Sequence, residues 1–300
     1  MKLGLAENFR AIFYAPFYAL RCLGFAEQEG LAVEWLAPRS PGTVFDEIKA
    51  GSVELAWGGP MRVLKDREDH APSDASLMCF GEVVSRDPFY LVARADTPAL
   101  DLRDLPSVRL GVVSEVPTPW ACLQADLLDA GIDPAFMRGT GRMNGRLTMP
   151  EQLVALRKGE LDVVQLFEPY VSEAEADGAG RVVYAACERG PTLYTTFICS
   201  RAGLGRHKEA FAALTRALAR TQAWIAEHGP DELASLLTPF FPDVPSGQLR
   251  ASVGRYHESG IWARYPDISR AGFERLARSF LAARFIASAA AYEACVQSFA

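Results

Sequence analysis

The stretch IKAGSVELAWGGP at residues 48–60 has a close counterpart, LRKGELDVVQLFEP, at residues 156–169. Each copy reads as the end of a helix, a Gly suited to a left-handed cap, one acid in a short turn, a brief apolar strand and a Pro that restarts the chain. A shorter pair, KLGLA at residues 2–6 and RLGVV at residues 109–113, recurs at nearly the same separation. Because both pairs of segments are separated by nearly the same number of residues, they predict two similar α/β lobes. Ligands commonly bind in the cleft between such lobes.

Composition narrows the classes of partner. The chain has 300 residues, is 49% hydrophobic and carries a net charge of −6 that is not concentrated in any block. No basic stripe is present to bind nucleic acid or an anionic membrane, so neither partner is expected. No apolar run approaches the roughly 18 residues of a membrane helix, and the first residues lead straight into a strand without a signal-peptide pattern. We therefore expect no direct membrane insertion.

The six cysteines are scattered, with no CxxC pair and no His at metal-ligand spacing. This pattern predicts buried free thiols, with no metal site and no cofactor. Lone cysteines fit a reducing compartment better than an oxidising one. Cys187 and Cys199 flank a possible hairpin and could pair, and the sequence leaves that open.

The first lobe reads as alternating strands and helices. A strand over 2–8, a helix over 16–23 and a strand over 32–36 form a βαβ unit, which a helix at 43–49 and a strand at 55–57 extend. Since right-handed crossovers are the rule, these elements predict a small, doubly wound and mainly parallel sheet.

Two apolar runs, 77–84 and 89–94, lead from the first lobe into the second. The second copy is predicted from a strand, two helices, a strand and a returning strand, at 108–113, 121–130, 149–158, 163–166 and 193–200. Beyond residue 208 the pattern is helical, with helices expected at 210–227, 231–237, 246–259, 269–283 and 289–298. The predicted organisation is a discontinuous first lobe, 1–88 and 197–300, around a second lobe at 89–196, with the two crossing strands as hinge.

Ligands of open parallel sheets bind outside the carboxyl ends of the strands, beside helix N-termini. That rule selects side chains in two stretches of each lobe as the candidate ligand site. The candidates are Glu7, Asn8, Phe9, Tyr14, Trp57, Gly58, Gly59, Ser114, Glu115, Thr118, Trp120, Phe167 and Glu168.

Each candidate has a purely structural alternative. Gly58 and Gly59 let a ligand approach the backbone, but they also suit a tight turn. Trp57 stands at a predicted strand end, although a Trp more often packs in a core. Glu168 could simply cap a helix, and Glu115 could be a solvated loop acid.

If the acids line the cleft, the site offers carboxylates and aromatic faces. Such a site favours a ligand with N–H donors or positive charge, stacked on Trp or Tyr, and Asn8 suits a heteroaromatic edge. A competing possibility is that the Gly-rich segment 139–146 with Arg138 grips an anion, although a solvent loop fits that pattern better.

Catalytic patterns are scarce. The four histidines fall in predicted loops or helices away from the strand ends, and no GxSxG, P-loop or HExxH motif is present. We therefore expect a binding protein with no catalytic residues.

The order and spacing of several segments resemble the bacterial periplasmic substrate-binding proteins of the NMT1/THI5-like and sulfonate-binding group, over essentially the whole chain. The matching segments are APFYA at 15–19, GF at 24–25, EGLAV at 29–33, AGSVELA at 50–56, DLRDL at 101–105, KGELD at 158–162, EP at 168–169, and the helical C-terminal third. The resemblance implies a type II periplasmic-binding fold, with two α/β lobes that close on a small molecule.

The same resemblance implies a solute receptor of an ABC importer, with permease and ATPase components as partners and a periplasmic location. The acids and aromatic residues lean towards a pyrimidine-like or other nitrogen-containing aromatic ligand. Closure would then be a population shift, because the ligand contacts both lobes only in the closed state.

Two alternatives come from other classes. Enzymes of the THI5-like group carry a Lys and a His after the third strand and a Cys-rich motif, whereas this chain has GGPMR at 58–62 and no Cys at 189–196. Sulfinate desulfinases of this fold use a Cys after the first strand, where this chain has ENF at 7–9. A cytosolic ligand sensor remains open, because no signal peptide is seen, but no helix-turn-helix precedes Met1.

Overall fold

The computed structural model describes residues 1–37 and 42–299 and folds into two five-stranded sheets surrounded by helices. The strands are β1 (Lys2–Ala6), β2 (Ala32–Leu36), β3 (Leu55–Gly58), β4 (Leu77–Val84), β5 (Tyr90–Arg94), β6 (Leu110–Gly111), β7 (Met143–Asn144), β8 (Val163–Leu166), β9 (Gly180–Ala185) and β10 (Thr195–Ser200). The helices are α1 (Ala15–Leu23), α2 (Phe25–Gln28), α3 (Thr43–Ala50), α4 (Met61–Asp69), α5 (Thr118–Asp129), α6 (Pro134–Gly139), α7 (Met149–Arg157), α8 (Tyr170–Ala176), α9 (Arg201–Arg206), α10 (Lys208–Leu237), α11 (Ser246–Glu258), α12 (Arg270–Ala282) and α13 (Tyr292–Cys295).

The two sheets have the same topology. The first has the strand order β2-β1-β3-β10-β4 and the second the order β7-β6-β8-β5-β9. In each, the first three strands are parallel, the fourth is antiparallel to both neighbours, and the fifth returns to the direction of the first three. The predicted two-lobed α/β fold is confirmed, but each sheet is mixed rather than mainly parallel, because the fourth strand in the order runs antiparallel to both of its neighbours.

The repeated phrase of the sequence corresponds to equivalent positions in the two sheets, since β3 and β8 occupy the same place in the strand order. Before each strand, a Gly in the left-handed region ends a helix, with φ 76° at Gly51 and φ 69° at Gly159. The amides after both glycines bond back into the preceding turn, from Ser52 to the Glu47 carbonyl and from Glu160 to the Ala155 carbonyl. Only Gly adopts this backbone region without strain, which explains why the pattern recurs.

The chain passes between the sheets twice. Strand β4 belongs to the first sheet and the next strand, β5, to the second, whereas β9 belongs to the second and β10 to the first. Each crossing strand lies inside its new sheet, paired on both sides. The connections at residues 85–89 and 186–194 therefore run side by side between the lobes.

The C-terminal helices contact both lobes. Helix α10 packs on α1 and α2, and its axis breaks at Gly229 (φ 76°), where two separate helices are expected from the sequence. Helix α11 packs on α10 and on α8 of the second lobe, and α12 packs on α5 of the second lobe. The helix expected at 289–298 is shorter, because Val296 is extended and forms a bridge with Cys79 of β4.

All six cysteines are free, so Cys187 and Cys199 do not pair. Five of them are buried and Cys22 is exposed. Within residues 1–37 and 42–299, no helix is both long and apolar enough to cross a membrane.

Candidate functional site

Strand pairing brings the predicted site segments together within each lobe. In the first lobe β1 is parallel to β3, so Glu7 and Asn8 leave the sheet beside the segment 57–59. In the second lobe β6 is parallel to β8, so the segment 114–120 leaves beside the segment 167–168. Both pairs of segments therefore lie at the carboxyl ends of strands, where α/β proteins bind their ligands.

Four rings form an interlobe aromatic cluster, defined as Phe13, Phe89, Phe167 and Tyr194. The centroid of Phe13 in the first lobe lies 5.5 Å from that of Phe167 in the second, and 6.4 Å from that of Tyr194. Phe89, just before β5, lies 5.3 Å from Phe167 and 6.2 Å from Tyr194. The rings meet mostly edge to face, a favourable aromatic geometry. Since the contacts join both lobes, opening of the lobes would separate them.

Phe9 and Tyr14 border this cluster on the first lobe. Their ring centroids are 5.2 Å apart, and Tyr14 lies 4.3 Å from Phe13. Burial raises the pKa of Tyr14, whose hydroxyl interacts with the side chain of Asn8. The Asn8 Oδ1 also accepts a hydrogen bond from the Gly42 amide, at 3.1 Å. These contacts fix a neutral phenol and an amide beside the aromatic cluster.

Two buried polar atoms near the cluster lack partners. Neither the Tyr194 hydroxyl nor the Trp57 Nε1 has a hydrogen bond among the described residues. Burial raises the pKa of Tyr194, so its hydroxyl stays protonated and can donate. A buried polar group without a partner costs about 1–3 kcal/mol, which a ligand atom in reach would recover.

The ring of Trp57 packs inside the first lobe. It is 2% exposed and stacks on Phe17, with centroids 4.5 Å apart and ring planes within 9°. Tyr18 meets it edge to face at 6.0 Å and Tyr14 lies 6.1 Å away. Most of this side chain therefore contributes to the core, and its unpartnered indole N–H is the part left for another group.

The two glycines after Trp57 differ in their surroundings. A Cβ atom at Gly58 would lie 2.6 Å from Cζ of Phe45, closer than packed atoms approach. A Cβ atom at Gly59 would meet only the Tyr194 carbonyl oxygen, at an ordinary 3.7 Å. Gly58 thus admits a neighbouring ring, while Gly59 leaves room beside Tyr194.

Glu7 has partners within its own lobe. Its two carboxylate oxygens accept hydrogen bonds from Nε and Nη2 of Arg10, both at 3.1 Å, in a bidentate ion pair. The Tyr18 hydroxyl donates to the same carboxylate at 2.8 Å. The negative charge of Glu7 is thus largely balanced before a ligand arrives.

Glu168 is fully buried and holds helix α11 against the second lobe. Its carboxylate accepts hydrogen bonds from the amide and hydroxyl of Ser172, both at 2.9 Å, and from the Ser252 hydroxyl at 3.2 Å. Nε of Arg255 donates to it at 2.6 Å, in an ion pair between α11 and the start of α8. Burial raises the pKa of Glu168, while Ser172 and Arg255 oppose that shift.

The remaining candidates of the second lobe lie at the starts of α5 and α7. Glu115 is exposed and accepts a hydrogen bond from the Met149 amide at 2.8 Å, so it caps α7. The Ser114 hydroxyl donates to the Leu147 carbonyl at 2.9 Å. Thr118 is buried at the first turn of α5, and Trp120 is half-buried against the hydrophobic core of the second lobe.

Sequence reasoning missed Phe13, Phe89 and Tyr194 as members of this site. A usable signal exists for two of them, because Phe89 and Tyr194 each stand at the start of a predicted crossing strand. A strand that crosses between lobes must pass along the floor of the cleft. Its first side chains can therefore face both lobes.

A cavity of about 430 Å³ opens beside these strand ends. Its lining includes Gly42, which binds Asn8, and Met61 and Arg62, which follow Gly59. Pro117 of the second lobe completes one wall. The cavity thus adjoins the predicted segments of both lobes.

The Gly-rich segment 139–146 lies at a different place. It borders a cavity of about 580 Å³ with Arg109 and Glu160, which precede β6 and β8. This is the amino end of those strands, opposite the aromatic cluster. The Arg142 guanidinium donates to the Ser107 carbonyl at 2.7 Å, and the side chain of Arg138 lies outside the described structure.

Within the described part of the chain, no group of three or more His, Cys, Asp or Glu side chains is arranged to hold a metal ion. The site described above consists instead of aromatic rings, neutral polar groups and carboxylates that already have partners. Such a set suits recognition of a small molecule by stacking and hydrogen bonding.

Comparison with known proteins gives consistent matches. The family model described as NMT1/THI5 like matches residues 12–232. The putative binding protein YtlA of Bacillus subtilis is 24% identical over 92% of this chain and 81% of its own length. The aliphatic sulphonate binding protein SsuA of Escherichia coli superposes with a TM-score of 0.76 at 14% identity, covering 96% of this chain and 94% of its own. The desulfurization enzyme DSZB shares the fold with a TM-score of 0.67 at 17% identity, covering 99% and 97%.

Proposed function

Because this chain belongs to the NMT1/THI5-like family, we propose that it is the solute receptor of an ABC importer and binds a small organic molecule between its lobes. The observation that carries the proposal is the interlobe aromatic cluster at the carboxyl ends of two equivalent sheets. A ligand inserted there would contact both lobes and favour the closed state over the open one. The lobes would be residues 1–88 with 197–300, and residues 89–196.

We infer that the ligand is a pyrimidine-like or other nitrogen-containing aromatic compound. Phe9, Tyr14 and Phe167 offer rings for stacking, and Asn8 offers a donor and an acceptor for a heteroaromatic edge. The unpartnered Tyr194 hydroxyl supports a ligand with a polar edge over a purely apolar one.

The receptor would deliver its ligand to permease and ATPase subunits, as importer receptors do, and family membership favours a periplasmic location. The enzymatic alternative requires a nucleophile or an acid–base pair beside the cluster. The residue types after β1 and β3, ENF and GGPMR, do not include the Cys, Lys or His of the enzymes considered above. The structural likeness to DSZB supports a shared scaffold.

The test is a thermal-shift screen with pyrimidines, polyamines, sulfonates and aromatic acids. A ligand that binds only the folded protein raises the melting temperature, because binding stabilises the folded state. At a free ligand concentration one hundred times the Kd, this stabilisation is about 2.7 kcal/mol. Phe167→Ala should reduce this shift, because it removes the ring of the second lobe from the cluster. Phe136→Ala, on an exposed ring of the same lobe, is the matched control and should leave the shift unchanged.

A screen in which none of these compounds stabilises the protein, while turnover of one of them is detected, would overturn the receptor proposal. Equal shifts in wild type and in both variants would remove the aromatic cluster from the binding site.

A further inference from the structure

Helix α11 turns a polar face towards the second lobe. Five side chains of the segment 246–259 form hydrogen bonds with residues of that lobe. Their spacing places them on one side of a helix with about 3.6 residues per turn. In chain order they are Gln248, Ser252, Arg255, Tyr256 and Ser259, the last of which directly follows the helix.

Three of these side chains hold Glu168 at the end of β8. The Ser252 hydroxyl and Nε of Arg255 donate to the carboxylate of Glu168. The amide of Glu168 donates to the Tyr256 hydroxyl at 2.9 Å. Because Glu168 directly follows Phe167, these bonds also fix the backbone that carries the Phe167 ring into the interlobe aromatic cluster.

The other two side chains extend the contact along the helix in both directions. At one end, Nε2 of Gln248 donates to the Pro169 carbonyl at 3.0 Å. At the other end, the hydroxyls of Ser259 and Tyr90 are 2.9 Å apart, and Tyr90 begins β5 of the second lobe. The whole length of α11 thus faces the second lobe through polar groups.

Helix α11 itself belongs to the first lobe. It packs on α10, and its apolar side chains Leu249 and Val253 are buried. Just beyond the helix, the Ala263 amide donates to the carbonyl of Val83 in β4 at 2.9 Å. The two sides of α11 are therefore bound differently, to the first lobe by apolar packing and to the second by hydrogen bonds.

The lobes also meet where α12 packs on α5, and this contact is apolar. Phe273 and Leu276 of α12 share one hydrophobic cluster with Ala121 and Cys122 of α5. Separation of these helices would expose apolar surface, at a cost of about 25 cal/mol for each Å².

Buried ion pairs reinforce the same side of the molecule. Arg189, in the second connection between the lobes, pairs with Asp87 of the first connection at 3.0 Å and with Asp126 of α5 at 2.5 Å. The three side chains are at most 9% exposed. Breaking such pairs is costly because it leaves buried charges without partners.

The two contacts between the lobes therefore differ in how readily they separate. The polar groups of α11 and of the end of β8 can exchange their bonds for bonds to water, so each lost bond has a small net cost. Interfaces between moving domains are typically of this polar kind. The contact at α5, α12 and Arg189 is expected to persist while the contact at α11 opens.

We propose that the polar face of α11 is an interlobe latch, which holds the second lobe closed on the first and separates when the cleft opens. Tyr256 and Arg255 are then positioning residues, which govern access to the ligand site through Glu168. This inference rests on the proposed receptor function, because it describes how that site opens and closes.

The test measures the distance between the lobes by double electron–electron resonance, with no ligand added. One nitroxide is placed on Cys22, the exposed cysteine of the first lobe, and the other on Glu160→Cys, at an exposed residue of the second lobe. Wild type should show mainly one distance, that of the closed arrangement. A combined variant, Ser252→Ala with Arg255→Gln and Tyr256→Phe, should show a second distance from open molecules.

The single variants grade the effect. Arg255→Gln should lower the ratio of closed to open molecules about ten- to hundredfold, as expected for the loss of a charge-assisted hydrogen bond. Tyr256→Phe removes a neutral hydrogen bond and should lower it about two- to tenfold. Circular dichroism and cooperative thermal unfolding confirm that each variant is folded, and the single variants decide the question if the combined variant is not.

Arg250→Gln is the matched control. Arg250 lies on the same helix but pairs with Asp231 of α10, at 3.1 Å, on the side of the first lobe. This substitution should leave the ratio unchanged. Identical distances in wild type and in the combined variant, an equal change in Arg250→Gln and Arg255→Gln, or a wild type that is mainly open would each overturn the latch. Because no ligand is involved, these outcomes leave the receptor function to be decided by the thermal-shift screen.

Discussion

The carboxyl ends of β3 and β8 occupy equivalent positions in two sheets of the same topology, but they are built differently. In the first lobe Trp57 stacks on Phe17 and Gly58 admits the ring of Phe45. In the second lobe the corresponding stretch carries Phe167 into the interlobe cluster and buries the charge of Glu168. The repeat preserves the scaffold, while the side chains after each strand differ in kind.

The difference indicates how each half of the site is held. The strand end of the first lobe is shaped by aromatic packing within that lobe, between Trp57 and Phe17 and between Gly58 and Phe45. The second lobe is held by an ion pair to Arg255 on α11, a helix that also packs on α10 of the first lobe. Substitutions at the two strand ends should therefore have different physical consequences.

The largest effect is expected for Trp57→Ala. The substitution removes a fully packed ring and leaves a cavity, which should lower the free energy of unfolding by about 4 kcal/mol. Urea denaturation checks this value. Trp57→Phe keeps an aromatic ring and removes the unpartnered indole N–H, so it should cost much less. A loss below about 1 kcal/mol for Trp57→Ala would mean that the ring is not part of the core.

Glu168→Ala should destabilise the protein by about 3 kcal/mol, because it leaves Arg255 without its buried partner. The loss should appear in both urea and thermal unfolding. Glu175 is a matched control, since it pairs with the same arginine but is about one-third exposed. Glu175→Ala should cost no more than about 1 kcal/mol. Equal costs for the two substitutions would contradict the view that burial gives Glu168 its structural role.

A third prediction compares Glu168 with a buried acid of the first lobe that forms no ion pair with any described residue. Glu82 on β4 is 2% exposed; one carboxylate oxygen accepts the Ser269 amide at 2.8 Å and the other has no partner among the described residues. Burial raises the pKa of Glu82 from 4.5 to about 7. The folded state therefore binds more protons than the unfolded state between these values, and stability falls as the pH rises through that window.

Glu82→Gln should remove this dependence. The variant should be more stable than wild type at pH 8 by roughly 2–3 kcal/mol and nearly equal to it at pH 4.5. Urea denaturation across that pH range measures the difference. If wild type and variant show parallel pH profiles, Glu82 is not the group that titrates.

The topology could be predicted from the sequence because the repeated segment marks the same helix end and strand in both lobes. Glycine caps at 51 and 159 and short apolar strands after them are local signals, and local signals survive without tertiary information. Helix α4 was not predicted, since its sequence MRVLKDRED is mostly polar and only four of its side chains are buried. Its formation depends on packing against β4 and α13, which the sequence does not reveal.

The site was harder to predict for a related reason. Glu168 before a proline looks the same whether it faces a ligand or caps a helix, and the residues that decide its role lie 84 and 87 positions further along the chain.

The smallest change in stability is expected for alanine substitutions at the two neighbouring glycines at the end of β3. Gly58→Ala should cost about 1–3 kcal/mol, because the new methyl group would overlap the ring of Phe45 and force it to move. Gly59→Ala should change stability by no more than about 0.5 kcal/mol, since its methyl group would make an ordinary contact.

Gly59→Ala should instead weaken ligand binding, because Gly59 lies beside Tyr194 at the interlobe surface. Thermal unfolding with and without ligand distinguishes the two effects. A stability loss at Gly59 equal to that at Gly58 would mean that this part of the first lobe is as tightly packed as its core.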